Sequence, residues 1–166
     1  MRIGFGYDSH RFETGRTLML GGVMIPDHPG LAGHSDGDAV GHAVTDALLG
    51  AAAAGDIGQH FPSEDPRWKD ADSMDLLARA VSILEASGYQ VHNVDITVIC
   101  ERPRIAPYVA AMRTRLAEVL GLGPGAVSVK GKTDDAMGWT GSGEGLAVHA
   151  VALLDETGER TPSGAP

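Results

Sequence analysis

The chain has 166 residues, 43% hydrophobic and 21% charged, with a formal net charge of −9. That length suits one domain able to bury roughly 70% of its unfolded surface, and the acidic balance argues against nucleic acid or an anionic membrane as partner. The single cysteine, Cys100, excludes an internal disulfide and any multi-cysteine zinc site, and it fits a reducing, cytoplasmic setting.

Met1 to Tyr7 has strand character, opens without a signal-peptide apolar region, and is closed by Asp8-Ser9-His10. Residues two apart on a strand point to the same side, so Asp8 and His10 project together. Leu18–Leu20 and Val23–Ile25 form a hairpin through Gly21-Gly22, and Pro26 is expected to end its second strand. A loop from Asp27 to Gly33 leads to the first helix, read from Asp36 to about Ala54 on the spacing of Val40, Ala43, Val44, Ala47, Leu48 and Ala51. Ser35 or Asp36 is the expected N-cap, with Ser35 and Asp38 spaced as a capping box. Asp38, His42 and Asp46 then share one helix face, which needs a cation or water. The run Ala47 to Ala54 is too short to span a bilayer.

Gly55 to Pro66 is poorly periodic, and a loop that long is expected to be functional or mobile. Asp72 or Ser73 caps a second helix that ends at Gly88, its core face being Met74, Leu77, Val81 and Leu84. A strand from Val91 to Cys100 and a loop from Glu101 to Arg104 follow. Pro107 then opens a third helix with Val109, Met112, Leu116, Val119 and Leu120 as its stripe and Gly121 as its cap. Val127 to Lys130 is a short strand, Gly131 to Gly145 a Gly- and Asp-rich loop, and Leu146 to Leu154 the last strand. Residues 1–155 thus make a single domain, and 156–166 reads as a disordered tail.

This order implies a two-layer α/β (α+β) sandwich: a mixed four-stranded sheet with helices on one face, plus a small hairpin. The last strand is apolar on both sides, so a second copy is expected to cover the face that the helices leave bare.

Asp8, His10 and His42 offer two imidazoles and a carboxylate, a donor set that suits zinc with one position open. His42 reads equally as a helix histidine hydrogen-bonded to Asp38 or Asp46. His34-Ser35 at a helix N-terminus would meet a phosphate with free N–H groups. Lys130-Gly131-Lys132-Thr133 adds cations and a hydroxyl but lacks the upstream glycines of a P-loop. Asp134-Asp135 reads either as a Mg²⁺ or Mn²⁺ site or as a solvated acidic turn. Cys100 reads as a small packed residue.

Asp8-x-His10, the run His34-Ser35-Asp36-Gly37-Asp38 with His42, Thr45 to Ala51, Gly55-Asp56-Ile57-Gly58 and Phe61-Pro62 together resemble the 2-C-methyl-D-erythritol 2,4-cyclodiphosphate synthase family of the non-mevalonate isoprenoid pathway. The resemblance continues through Asn93-Val94-Asp95, Pro103, Thr133, Gly138, Thr140-Gly141 and Gly143-Glu144-Gly145, and spans residues 1 to 154. It implies a homotrimer with active sites between subunits, zinc on Asp8, His10 and His42, and a second divalent cation, Mg²⁺ or Mn²⁺, at Asp135. It implies cyclisation of 4-diphosphocytidyl-2-C-methyl-D-erythritol 2-phosphate with release of CMP, with His34 and Thr133 steadying transition-state oxygens. The methylerythritol phosphate end is then expected near His34, Ser35, Asp56, Ile57 and Gly58 and the loop Phe61-Pro62-Ser63-Glu64-Asp65. The cytidine diphosphate end is expected against Cys100, Pro103, Arg104, Ile105, Ala106 and Lys132, and Asp134 and Trp139 complete the substrate-binding set. The chain departs from the usual family pattern at Ser63-Glu64, Lys132, Asp134, Asp135, Arg104, Ser142 and His149. The competing readings are a zinc-dependent phosphohydrolase and a metal-stabilised trimeric binding module.

Overall fold

In a computed structural model, which describes residues 1–157, the first strand, β1 (Arg2–Leu20), is the element on which the others are laid. Its first half, Arg2 to Arg11, pairs antiparallel with β5 (Gly145–Glu156), and its second half, Phe12 to Leu20, pairs with β2 (Val23–Leu31). β5 also pairs antiparallel with β3 (Tyr89–Ile99), which runs parallel to β4 (Val127–Lys132). The result is one mixed five-stranded sheet in the order β2-β1-β5-β3-β4. The expected four strands plus a separate hairpin are thus corrected: β1 does not close at His10 but changes partners and runs on. Nor does Pro26 end the second strand. β2 is an edge, where a residue without an N–H removes no ladder bond from a neighbour, so Pro26 and Pro29 both lie inside it.

The helices α1 (Ala39–Ala52), α3 (Ser73–Ala86) and α4 (Val109–Leu120) pack on one face, and the short helices α2 (Ile57–His60) and α5 (Gly138–Gly141) sit in loops expected to be irregular. Beneath them Leu146, Val148, Ala150, Ala152 and Leu154 of β5 are buried, as their period of two requires. A close approach sets the position of α1. A Cβ on Gly4 would stand 2.0 Å from the Ala47 carbonyl oxygen, and one on Gly6 would stand 1.9 Å from that of Ala43. Two glycines on the buried side of β1 therefore let an alanine-rich helix lie directly against the strand. Asp8 and His10 continue that same side, so they arrive under the residue next to Ala43, which is His42.

α1 starts three residues later than its periodicity suggests. Its N-cap is Asp38, not Ser35 or Asp36, and the Asp38 carboxylate takes the N–H groups of Val40 and Gly41, each at 3.0 Å. α3 begins after Asp72, which accepts from the Met74 N–H at 2.7 Å. The expected third helix is preceded by a 3₁₀ turn, Ala106–Tyr108, that holds Pro107. Residues 158–166, most of the expected tail, lie outside the described residues, whereas Glu156 still belongs to β5.

The sheet face away from the helices is bare in the single chain. Ile3 is 73% exposed and Phe5 61%; Tyr7 and Val151 are exposed beside them, and His149 packs against both aromatic rings. No helix among the described residues is long and apolar enough to cross a membrane.

Candidate active site

Asp8 Oδ2 lies 2.9 Å from His10 Nε2 and 2.9 Å from His42 Nδ1, and the two ring nitrogens are 3.4 Å apart. The strand end and the helix thus bring together three donor atoms, all within 4.8 Å of one another. The far sides of both imidazoles are tied. His10 Nδ1 is 2.5 Å from the Ala32 carbonyl oxygen, a group that only accepts, so Nδ1 carries the proton and Nε2 presents a lone pair in the neutral ring. His42 Nε2 faces two hydroxyls, Ser35 Oγ and Ser73 Oγ, each at 3.0 Å. Burial opposes ionisation of Asp8, but its hydrogen bonds to His10 and His42 outweigh burial and hold the carboxyl well below the usual carboxylate range. Burial would lower His10, yet its hydrogen bond to Asp8 prevails and raises it. The His10 lone pair, His42 Nδ1 and a carboxylate converge on one point, an arrangement of two imidazole nitrogens and an anionic oxygen that fits a divalent metal.

The His42 imidazole does not bond to the carboxylate of Asp38 or Asp46, the alternative partners that helix spacing offers. Asp38 turns to the Gly21-Gly22 hairpin, and Asp46 Oδ1 accepts the Ile57 N–H at 2.8 Å. The expected anion site at the N-terminus of the first helix is corrected for the same reason. Its N–H groups already bind the Asp38 carboxylate, so His34 and Ser35 stand beside an end that is filled.

A cavity of about 260 Å³ opens at the donor atoms and takes in His34, Ser35, Ile57, Gly58, Phe61 and Ser63. Tyr7, Asp46, Trp68 and Leu76 complete its wall; Asp46 is marked by its place on the His42 face, whereas the types and spacings of the other three carry no signal of a site in the sequence. Asp56, Pro62, Glu64 and Asp65 do not line it. Asp56 caps α2 by accepting from the Gln59 N–H, and Asp65 is ion-paired with Arg67.

A second, larger cavity of about 770 Å³ lies between the start of α4 and the end of β4. Cys100, Pro103, Arg104, Ile105 and Ala106 form one wall, and Lys132, Thr133 and Asp135 another. Thr133 Oγ1 donates to Asp135 Oδ1 at 3.2 Å. Arg104 and Lys132, with Lys130 ion-paired to Asp95 beside them, line a cavity in an otherwise acidic chain, a suitable lining for a polyanion. Asp134 is not part of it and accepts from the Thr140 hydroxyl. Trp139 lies elsewhere, on a cavity shared with Ser9, His10, Arg11 and Glu144.

Cys100 sits in the second cavity with its thiol pushed up to about 11 by burial and by the Glu101 carboxylate. Alkylation by iodoacetamide at pH 8 should therefore run roughly a hundredfold slower than for an unhindered cysteine, since only the thiolate reacts. Mass-spectrometric labelling rates check this; a rate equal to that of free cysteine would refute the packed, protonated reading.

The family model described as the YgbB family matches residues 1–155. A 2-C-methyl-D-erythritol 2,4-cyclodiphosphate synthase from Symbiobacterium thermophilum is 57% identical over 154 residues, 93% of this chain and 98% of the relative. A protein of the same name from Salinibacter ruber is 54% identical over the same shares. Among solved structures, the bifunctional IspDF from Campylobacter jejuni superposes with a TM-score of 0.90 at 39% identity, covering 93% of this chain and 42% of that longer one. A 2C-methyl-D-erythritol-2,4-cyclodiphosphate synthase in a CDP-bound form superposes with a TM-score of 0.85 at 39% identity, covering 93% of this chain and 100% of that one.

Proposed function

The chain belongs to the YgbB family of 2-C-methyl-D-erythritol 2,4-cyclodiphosphate synthases, and from that premise we propose how its two cavities divide the work. The reaction converts 4-diphosphocytidyl-2-C-methyl-D-erythritol 2-phosphate into the 2,4-cyclodiphosphate and CMP, the step of isoprenoid synthesis that the relatives carry out. A 2-phosphate oxygen attacks the β-phosphorus, one P–O bond forms, and the bond to CMP breaks with its electron pair. The attacking oxygen is already anionic, so neither a protein nucleophile nor a general base is required. What remains for the protein is to fold a polyanion into line and offset its charge.

Asp8, His10 and His42 would hold a zinc ion, and the convergence of their three donor atoms, with His10 tied behind to Ala32, is the observation that carries this reading. When bound, that ion supplies Lewis-acid polarisation and a fixed template for phosphoryl oxygens. His34 and Ser35, on the same cavity, would take the methylerythritol phosphate end. The cytidine diphosphate end would enter the cavity of Arg104 and Lys132, where Thr133 steadies a phosphoryl oxygen and Asp135 holds a second cation, Mg²⁺ or Mn²⁺. That a similar synthase has a CDP-bound form supports a nucleotide diphosphate as part of the ligand.

Within one chain these are separate cavities with no wall residue in common, whereas one substrate must touch both. A homotrimer that covers Ile3, Phe5 and Tyr7 and joins the metal side of one copy to the nucleotide side of the next resolves this. Incubated with substrate and zinc, the protein should release CMP and cyclic diphosphate in equal amounts, and a chelator should stop both. An open-chain diphosphate instead of the cyclic product, or release insensitive to chelator, would overturn the proposal.

A further inference from the structure

Behind His42 lies a hydrogen-bonded chain that the reaction itself does not call for. Ser73, at the first turn of α3, has no exposed surface. Its hydroxyl donates to Asp36 Oδ1, and its N–H donates to Asp36 Oδ2 at 3.0 Å. Asp36 Oδ1 also accepts the Asp38 N–H at 3.0 Å, so the carboxylate is fixed from two segments. A hydroxyl has one proton. With that proton given to Asp36, Ser73 Oγ can only accept from His42 Nε2, 3.0 Å away. Nε2 must then carry hydrogen, and the lone pair of the neutral ring falls on Nδ1, which faces Asp8.

Ser35 Oγ is equally near to Nε2, but among the described residues it has no carboxylate behind it and its only other partner is the Gly37 N–H at 3.4 Å. It therefore imposes no direction on the ring and lies on the cavity wall, free to turn to a ligand.

We infer that Asp36 and Ser73 form a relay that fixes the tautomer and orientation of His42, and that both are positioning residues for the metal. The inference rests on the metal reading above and adds to it two residues that touch neither substrate nor ion. A carboxylate acting through a neutral group makes the imidazole a better donor and removes its rotational freedom before the ion arrives.

The test is titration of the metal-free protein with Co²⁺ alone, followed by the visible d–d band of the bound ion and by its dissociation constant. Ser73→Ala should weaken Co²⁺ about 10- to 100-fold and alter the band, because His42 no longer meets the ion in one orientation. Asp36→Asn, which keeps an acceptor for the Ser73 hydroxyl but loses the charge, should show a smaller loss in the same direction. Ser35→Ala should cost less than Ser73→Ala. Wild-type affinity and an unchanged band in both Ser73→Ala and Asp36→Asn would overturn the relay, as would a Ser35→Ala loss equal to that of Ser73→Ala. If Ser73→Ala does not fold, Asp36→Asn against Ser35→Ala decides. A Co²⁺ band in His42→Ala identical to that of the wild type would instead overturn the metal centre on which the relay depends.

Discussion

His42→Ala should abolish cyclisation without unfolding the protein, and co-expression with a chain damaged only on the nucleotide side should bring activity back. His42 supplies one of three donor atoms from the middle of α1, where an alanine is well tolerated by the helix. Losing the ion removes several kcal/mol of transition-state stabilisation, at least about a thousandfold in rate at 1.36 kcal/mol per tenfold. A Lys132→Ala, Thr133→Ala double variant should lose about as much by giving up the cation and hydroxyl that face the phosphates. If each site joins the metal side of one copy to the nucleotide side of the next, random mixing in a trimer leaves about a quarter of the sites with both halves intact. The mixed protein should then regain roughly that fraction of wild-type turnover. Two inactive variants that stay inactive when mixed would put both halves of the site in one chain and remove the case for a shared site.

The sequence showed the parts of this molecule that repeat locally. The buried side of β5 and the apolar stripes of α3 and α4 follow from period alone, and the structure buries the residues that period selects except Val81, Val109 and Val119, which are half-buried against the same core. Where β1 ends could not be read this way. Its polar middle, Arg11 to Thr17, resembles a turn and becomes strand only because β2 returns alongside it as an edge. The start of α1 was misread because its true cap, Asp38, is chosen by contacts with a hairpin 16 and 17 residues earlier, which no helix signal contains. The site divides similarly. Asp8 and His10 share a side by strand geometry, but their meeting with His42, 34 and 32 residues away, follows from Gly4 and Gly6 allowing α1 to descend onto β1. In the sequence that meeting was one of two open readings of His42, offered by the donor types and favoured by the resemblance to a family. Ser73 was visible only as a possible helix cap, since its contacts with Asp36 and His42 are wholly tertiary.

Asp38→Ala should be the most destabilising substitution of a polar residue in the chain. The Asp38 carboxylate is fully buried and accepts four backbone N–H groups: Gly21 at 2.8 Å, Gly22 at 2.6 Å, and Val40 and Gly41 at 3.0 Å each. Gly21 and Gly22 both have positive φ, 59° and 70°, the conformation a two-residue hairpin turn needs, and it leaves both N–H groups without partners in the turn itself. Burial raises the Asp38 pKa despite these donors, so the charged carboxylate is costly to hold there and the four bonds offset part of that cost. Removing the acceptor strands four donors at about 1–3 kcal/mol each, so a loss of at least about 4 kcal/mol is expected, a large share of the 5–15 typical of a domain. Asp38→Asn keeps the shape and one acceptor oxygen but turns an amide N–H₂ toward a backbone N–H, and should lose roughly half as much. Thermal unfolding of metal-free protein at fixed protomer concentration measures both, because association shifts the midpoint. A loss below about 1 kcal/mol for Asp38→Ala would mean that the stranded groups find other acceptors. The consequence reaches the metal. The His42 N–H bonds to the Asp38 carbonyl oxygen at 3.0 Å, one turn along the same helix, so a first turn released from its hairpin lets His42 drift from Asp8. Metal affinity should therefore fall together with stability in the Asp38 variants, whereas in Ser73→Ala it should fall more than stability does.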